Sequence, residues 1–422
     1  MINIHTMEDE ELMSSFSQRH KILAAALATV FIGSGHANEK YANAKHVNAK
    51  HANTKHANTK AEVEVDESEP VPTFSQAYKE YTSSIKSGKY SANELERVAK
   101  LTYQLGRAKF GPRHQNTFML QQNLANAYLE AGEYKLSATN YESVIDYYEE
   151  TQGDESQAYY FALLDIINVI YSANKAKKLS AQALGISQFS GQRAIVKLFK
   201  VTDELIVKMP ENSLMFRGHT VKTAVINKWA ERDNRLLNMA KKYNLDANKN
   251  AGKYSSIYIE SLAYVGKVYF GMKKYKDARC VFEQVLTSLQ AQNSDAHPLG
   301  MIAHAHLVSL YARKKETKNA IFHTQAIAKI KPWDPKQLAL YQVPPTFPPA
   351  NITHANEASV TLTCDISLQG QPINIRVTDS TDSEFNAFAI KNIKQWYFVP
   401  KFVNGAFAVA TDLDVMIDFL RE

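Results

Sequence analysis

VGKVYFGMKKYKDARCVFEQV, residues 265–285, decides the fold of most of this chain. Val265, Gly266 and Tyr269 fall on one face of a helical period, and Tyr275, Ala278, Phe282 and Val285 fall on one face of the next. A small residue on each helix lets the pair approach closely, and the aromatics fill the remaining gap. The same register recurs at Leu124, Ala125 and Tyr128, followed by Gly132, Tyr134, Ser137, Tyr141 and Val144. It recurs again at Leu307, Val308 and Tyr311, followed by Ala320, Ile327 and Pro332. Weaker copies stand at Ile167, Asn168 and Tyr171 and at Val225, Ile226 and Trp229, and Gly88-Lys89-Tyr90 marks a first hairpin turn.

This register resembles the tetratricopeptide repeat, and the step of 42 residues from Val265 to Leu307 resembles the longer spacing of the kinesin-light-chain type. Residues 74–335 therefore read as a helical-repeat domain. Stacked hairpins bury their faces only against neighbours, which predicts a solenoid with a concave surface suited to gripping another polypeptide. Tyr128, Tyr269 and Tyr311 read as structural packing residues. No Walker loop, G-x-S-x-G, H-E-x-x-H or C-x-x-C occurs, so the reading is a binding protein, with no enzyme activity, no cofactor and no small-molecule substrate.

Helical periodicity stops at Pro332-Trp333-Asp334-Pro335, and residues 336–357, with VPPTFPPA at 343–350, read as a Pro-rich linker. From 358 to 422 the pattern changes. Residues 358–368 alternate as a strand, Gln369-Gly370-Gln371-Pro372 reads as a turn, and Ile373–Val377 reads as a second strand. Ser383 then reads as the N-cap of a helix to Gln395, and Leu413, Val415, Ile417 and Phe419 alternate with aspartates in a last strand. The order is strand, strand, helix, strand. Together the two parts predict a multidomain chain, an α-helical repeat solenoid followed by a small α+β domain.

The C-terminal stretch resembles the TonB C-terminal domain family. The resemblance is carried by Pro345, Phe347 and Pro348, Val360 to Ile366, Gly370, Ile375, Val377, Ser380, Phe385, Ala389, Trp396, Phe398, Pro400, Asn404-Gly405, Ile417 and Phe419. Trp396, Phe398 and Pro400 read as structural groups where helix meets sheet, and Gly405 as part of the turn into the final strand. The resemblance implies docking of an extended peptide by strand addition, with Phe347, Pro348, Thr411, Asp412, Asp414 and Asp418 as candidate contacts. Equally, the three aspartates can serve as edge protection against aggregation. Implied partners are proteins or extended peptides, outer-membrane TonB-dependent receptors among them.

Ahead of the repeats, residues 1–37 read as a signal peptide, with Arg19-His20-Lys21 before the apolar run Ile22–Gly33 and cleavage after Ala37. Met13 is an alternative start, because it removes Glu8, Asp9, Glu10 and Glu11 from the leader. This places the chain in the periplasm; an uncleaved run would instead anchor it in the inner membrane, facing the periplasm. The run of 12 falls short of the roughly 20 apolar residues that span a bilayer. Residues 38–73, built from pentapeptides such as His51-Ala-Asn-Thr-Lys55 and an acidic stretch, read as a disordered linker. His46, His51 and His56 recur every five residues, a spacing that shares no face of a helix or strand, and His304 and His306 point apart on a helix, so no metal site is read.

A net charge of +6, with no single Lys/Arg block, argues against nucleic acid. Cys280 and Cys364 fall in different domains and read as buried thiols, with oxidation left open by export.

Overall fold

The structure, a computed structural model, describes residues 72–189, 192–227, 233–294, 296–349 and 355–421. The leader, the pentapeptide tract with His46, His51 and His56, and Trp229 lie outside the described residues.

Twelve helices precede the sheet among the described residues: α1 Phe74–Ser87, α2 Ala92–Phe110, α3 Gln115–Glu130, α4 Tyr134–Gln152, α5 Gln157–Lys177, α6 Gln192–Lys208, α7 Ser213–Asn227, α8 Asn234–Ala251, α9 Ser256–Gly271, α10 Tyr275–Gln290, α11 Pro298–Arg313 and α12 Thr317–Ile330. Their starts are written locally. Thr73 with Gln76 and Ser91 with Glu94 form capping boxes, and Ser255, His114 and His297 cap with side-chain acceptors. His297 thus accepts from the Leu299 amide. Two compact units divide these residues: 72–153 with 168–187, and 154–167 with 188–421.

In the first unit α3 and α4 form the hairpin foreseen from Leu124, Ala125 and Tyr128. Ala125 is buried, Ser137 Oγ donates to its carbonyl at 2.8 Å, and Tyr141 is buried with its hydroxyl on Asn126. In the second unit the α9–α10 hairpin repeats this with larger groups. A Cβ added at Gly266 would lie 2.9 Å from the Phe282 ring, so the glycine makes room for a fully buried aromatic worth about 1.5–3 kcal/mol of transfer.

Three hairpin turns share one geometry. After α3, α9 and α11 the chain passes through the left-handed region at Gly132 (φ 74°), Lys273 (φ 60°) and Lys315 (φ 60°). At each, the next amide reaches back to the register tyrosine: Glu133 to Tyr128 O at 2.9 Å, Lys274 to Tyr269 O at 2.9 Å and Glu316 to Tyr311 O at 3.0 Å. This is a Schellman closure. The register tyrosine therefore supplies both packing and the carbonyl that ends its helix.

The sheet domain follows, with β1 Glu357–Ile366, β2 Pro372–Ser380, α13 Asn386–Ile393, β3 Lys401–Val403, β4 Ala406–Ala408 and β5 Ala410–Leu420. Its main sheet is antiparallel with order β2-β1-β5. One face packs Val360, Leu362, Cys364 and Ile417 against Phe385, Ala389, Ile393, Trp396 and Phe398. Two details depart from the pattern read in the sequence. Asp382, rather than Ser383, caps a 3-10 turn through the Glu384 amide, and the α-helix begins at Asn386. Asn404 and Gly405, both at positive φ, close a separate two-stranded hairpin of β3 and β4, and the last strand starts after it.

Candidate functional site

β5 is hydrogen-bonded to β1 on one side, from Glu357 opposite Leu420 to Ile366 opposite Ala410, and no strand pairs with its other side among the described residues. Its inward residues Leu413, Ile417 and Phe419 are buried. Thr411, Asp412, Asp414, Met416, Asp418 and Leu420 are exposed. Asp414 accepts from Thr363 Oγ1 at 2.6 Å and Asp418 from Ser359 Oγ at 2.9 Å, each from the residue directly opposite in β1. Asp412 takes φ 59° and pairs with Arg376 at 2.7 Å, while its amide donates to Asp365 Oδ1. The bond from Asn374 and then that amide hold the Asp365 carboxyl below the usual carboxylate range.

Phe347 and Pro348 sit differently. Pro348 is buried, and Phe347 packs at the rim of the domain core, 5.0 Å edge-on to Phe385 and under the Arg421 guanidinium at 4.7 Å. Of the six candidate contacts, the four on β5 present exposed side chains and these two pack inward.

The stretch Trp396–Pro400 joins two cores. Trp396 and Phe398 belong to the domain core, whereas Tyr397 and Val399 belong to the core built by α9–α12. Phe402 and Phe407 of the β3–β4 hairpin pack against that second core as well. Backbone bonds fix the alternation. Leu340 N donates to Tyr397 O at 2.7 Å, Tyr397 N to Tyr341 O at 3.1 Å, and Phe398 N to Gly370 O at 2.8 Å. Gln337 brackets Val399, accepting its amide and donating to its carbonyl, both at 3.0 Å. The β1–β2 turn then meets α12, where Thr324 Oγ1 donates to Gln369 O and Gln325 Nε2 to Leu368 O at 3.3 and 3.1 Å.

Two further groups stand beside this junction. His304 and His323 share a hydrogen bond between Nδ1 atoms at 2.8 Å, and burial first, then His304, push the His323 pKa down to about 3. His306 stacks on Phe282 at 4.5 Å. No group of three or more His, Cys, Asp or Glu stands in metal-holding range among the described residues. Cys364 is buried, and burial, helped by Asp365 and Asp414, pushes its thiol up to about 11. Cys280, read from sequence as buried, is exposed on α10, where the helix turns that position outward.

The comparisons with known proteins agree with the geometry at the C-terminal end. Residues 343–420 match the family model of the Gram-negative bacterial TonB protein C-terminal. This part of the chain is a TonB-like domain. The match begins at Val343, inside the stretch read from sequence as a linker, and covers the whole sheet. Among solved structures, the nearly identical TPR-like repeats of a kinesin light chain from Podosopora anserina, and a point variant of them, are similar in shape. Each is 12% identical with a TM-score of 0.40, covering 52% of this chain and 96% of that one. No curated protein matches the chain. Among the described residues no helix is long and apolar enough to cross a membrane.

The pattern missed Tyr397, Val399, Gln337 and His323. Only the apolar run WYFVP hinted at the first two, since a segment that turns alternate side chains toward two cores is apolar at every position.

Proposed function

We propose that the chain is a periplasmic protein-binding adaptor, in which the helical repeats hold one protein and the TonB-like domain docks an extended peptide by strand addition along β5. The observation that carries this is the one-sided hydrogen bonding of β5 from Leu413 to Leu420, beyond the irregularity at Thr411 and Asp412. An open row of backbone donors and acceptors is what strand addition requires, and side chains opposite then set the preference. No catalytic step is proposed. Periplasmic segments of outer-membrane TonB-dependent receptors are the partners this reading favours.

A photo-crosslinking residue placed at Met416, exposed on β5, tests the docking in cells. It should capture a discrete partner that the same residue at Val207, exposed on α6, does not. Identical captures from both positions would remove the docking role.

The apolar run Ile22–Gly33 supports a second reading, a membrane-anchored member of the TonB family that transmits energy to outer-membrane transport. Fractionation with N-terminal sequencing separates the two. A soluble product beginning near Asn38 supports the adaptor, and a membrane product retaining Ile22–Gly33 supports the transducer.

A further inference from the structure

The chain's mild net charge conceals a local concentration. Lys273 and Lys276 stand 42 residues before Lys315 and Lys318, the same interval that separates Val265 from Leu307. The fold therefore stacks the α9–α10 turn against the α11–α12 turn. Arg313 lies over the Tyr275 ring at 5.2 Å, and Arg279 reaches Glu316 at 3.9 Å, so each turn touches the other. Lys273, Lys274, Lys276, Arg313, Lys314, Lys315 and Lys318 are all exposed on this edge. The acids among them are Asp277, Glu283 and Glu316; Glu316 is held by Arg279, and Glu283 accepts from the Tyr311 hydroxyl at 2.6 Å.

Folding alone does not favour lysine at these places. Lys273 and Lys315 occupy left-handed positions that disfavour a Cβ, and Gly132 fills the same position in the α3–α4 turn. Lys276 and Lys318 sit in the first turns of α10 and α12, where the helix dipole disfavours a cation. Strain kept against a cheaper local alternative points to use.

We propose that this edge binds an anionic phospholipid surface. Long, separately rotating ammonium stems spread over two turns suit a field of phosphates better than one peptide in a fixed register, and each cation near such a surface adds to attraction. A lipid surface also accords with the Gram-negative envelope family matched at residues 343–420.

The test uses the full chain and cosedimentation with vesicles of phosphatidylglycerol mixed with phosphatidylcholine, against phosphatidylcholine alone. Comparing variants with the parent cancels any contribution from Ile22–Gly33. The parent should bind the anionic vesicles more tightly, and the excess should fall as salt rises. Lys273→Gly/Lys315→Gly and, separately, Lys276→Glu/Lys318→Glu should each weaken that excess by about tenfold or more. Both should keep or raise the thermal midpoint, since each relieves a local cost. Equal binding to both vesicle types, or unchanged binding by both variants, overturns the proposal. So does a parent that binds polyglutamate but not the anionic vesicles, which would assign the edge to an acidic protein.

Discussion

The α3–α4 turn and the β1–β2 turn each hinge on a glycine of nearly the same conformation, Gly132 at φ 74° and Gly370 at φ 79°, yet their surroundings are opposite. A Cβ added at Gly132 meets nothing within 4 Å. At Gly370 it would lie 2.3 Å from Phe398 O and 3.3 Å from Thr324 Oγ1. A repeat turn asks only for a backbone conformation, which is why lysine can replace glycine at its equivalents after α9 and α11. The sheet turn asks for conformation and for empty space, because it is clasped by the strip Trp396–Pro400 on one side and by α12 on another.

At neutral pH, Gly370→Ala should therefore have the largest effect. Left-handed strain of about 1–2 kcal/mol adds to the loss of the Phe398 N to Gly370 O bond and to displaced backbone, for a total of about 3 kcal/mol. Denaturant unfolding followed by tryptophan fluorescence, with Trp333 and Trp396 both at the domain core, should show it. A midpoint within error of the parent would mean that the turn can swing away from Phe398, and the clasp described above would be wrong.

The clasp also explains what could and could not be read from the sequence. The small-against-aromatic register predicted Gly266 beneath Phe282, and alternation predicted the buried faces of β1 and β5, because both signals are local and periodic. Tyr397 and Val399 carry no such mark. Their partners are helices far back in the chain, and in a run apolar at every position nothing says which side chains turn toward which core. Gln337 is hidden for another reason: one amide bracketing one peptide group leaves no compositional trace in a Pro-rich stretch. Cys280 and the left-handed lysines were obscure because lysine is no turn signal and a single cysteine has no period.

A second prediction sharpens the comparison by acting on the α12 side of the clasp. His323 is one residue before Thr324, which donates to Gln369 O beside Gly370. Its folded pKa of about 3 lies below the ordinary 6.5, so the unfolded chain binds the extra proton between these values. Stability should then fall as pH drops from about 6.5 toward 3, by at most about 1.4 kcal/mol per pH unit from this group. The slope should flatten in that window for His323→Gln in denaturant midpoints taken across pH. An unchanged slope would assign the acid sensitivity to other groups.

Gly132→Ala should have the smallest effect and is the control that gives Gly370→Ala its meaning. With open space around it, the new methyl meets no atom, and what remains is the left-handed backbone cost, about 1 kcal/mol after the gain from a stiffer unfolded chain. Lys273 and Lys315 bear that same cost in two equivalent turns that close with the same hydrogen bonds. The α3–α4 hairpin should accordingly stay folded, with Tyr141 buried and its unfolding midpoint only slightly lowered. A loss as large as that of Gly370→Ala would show that the repeat turn, too, depends on space and not on conformation alone.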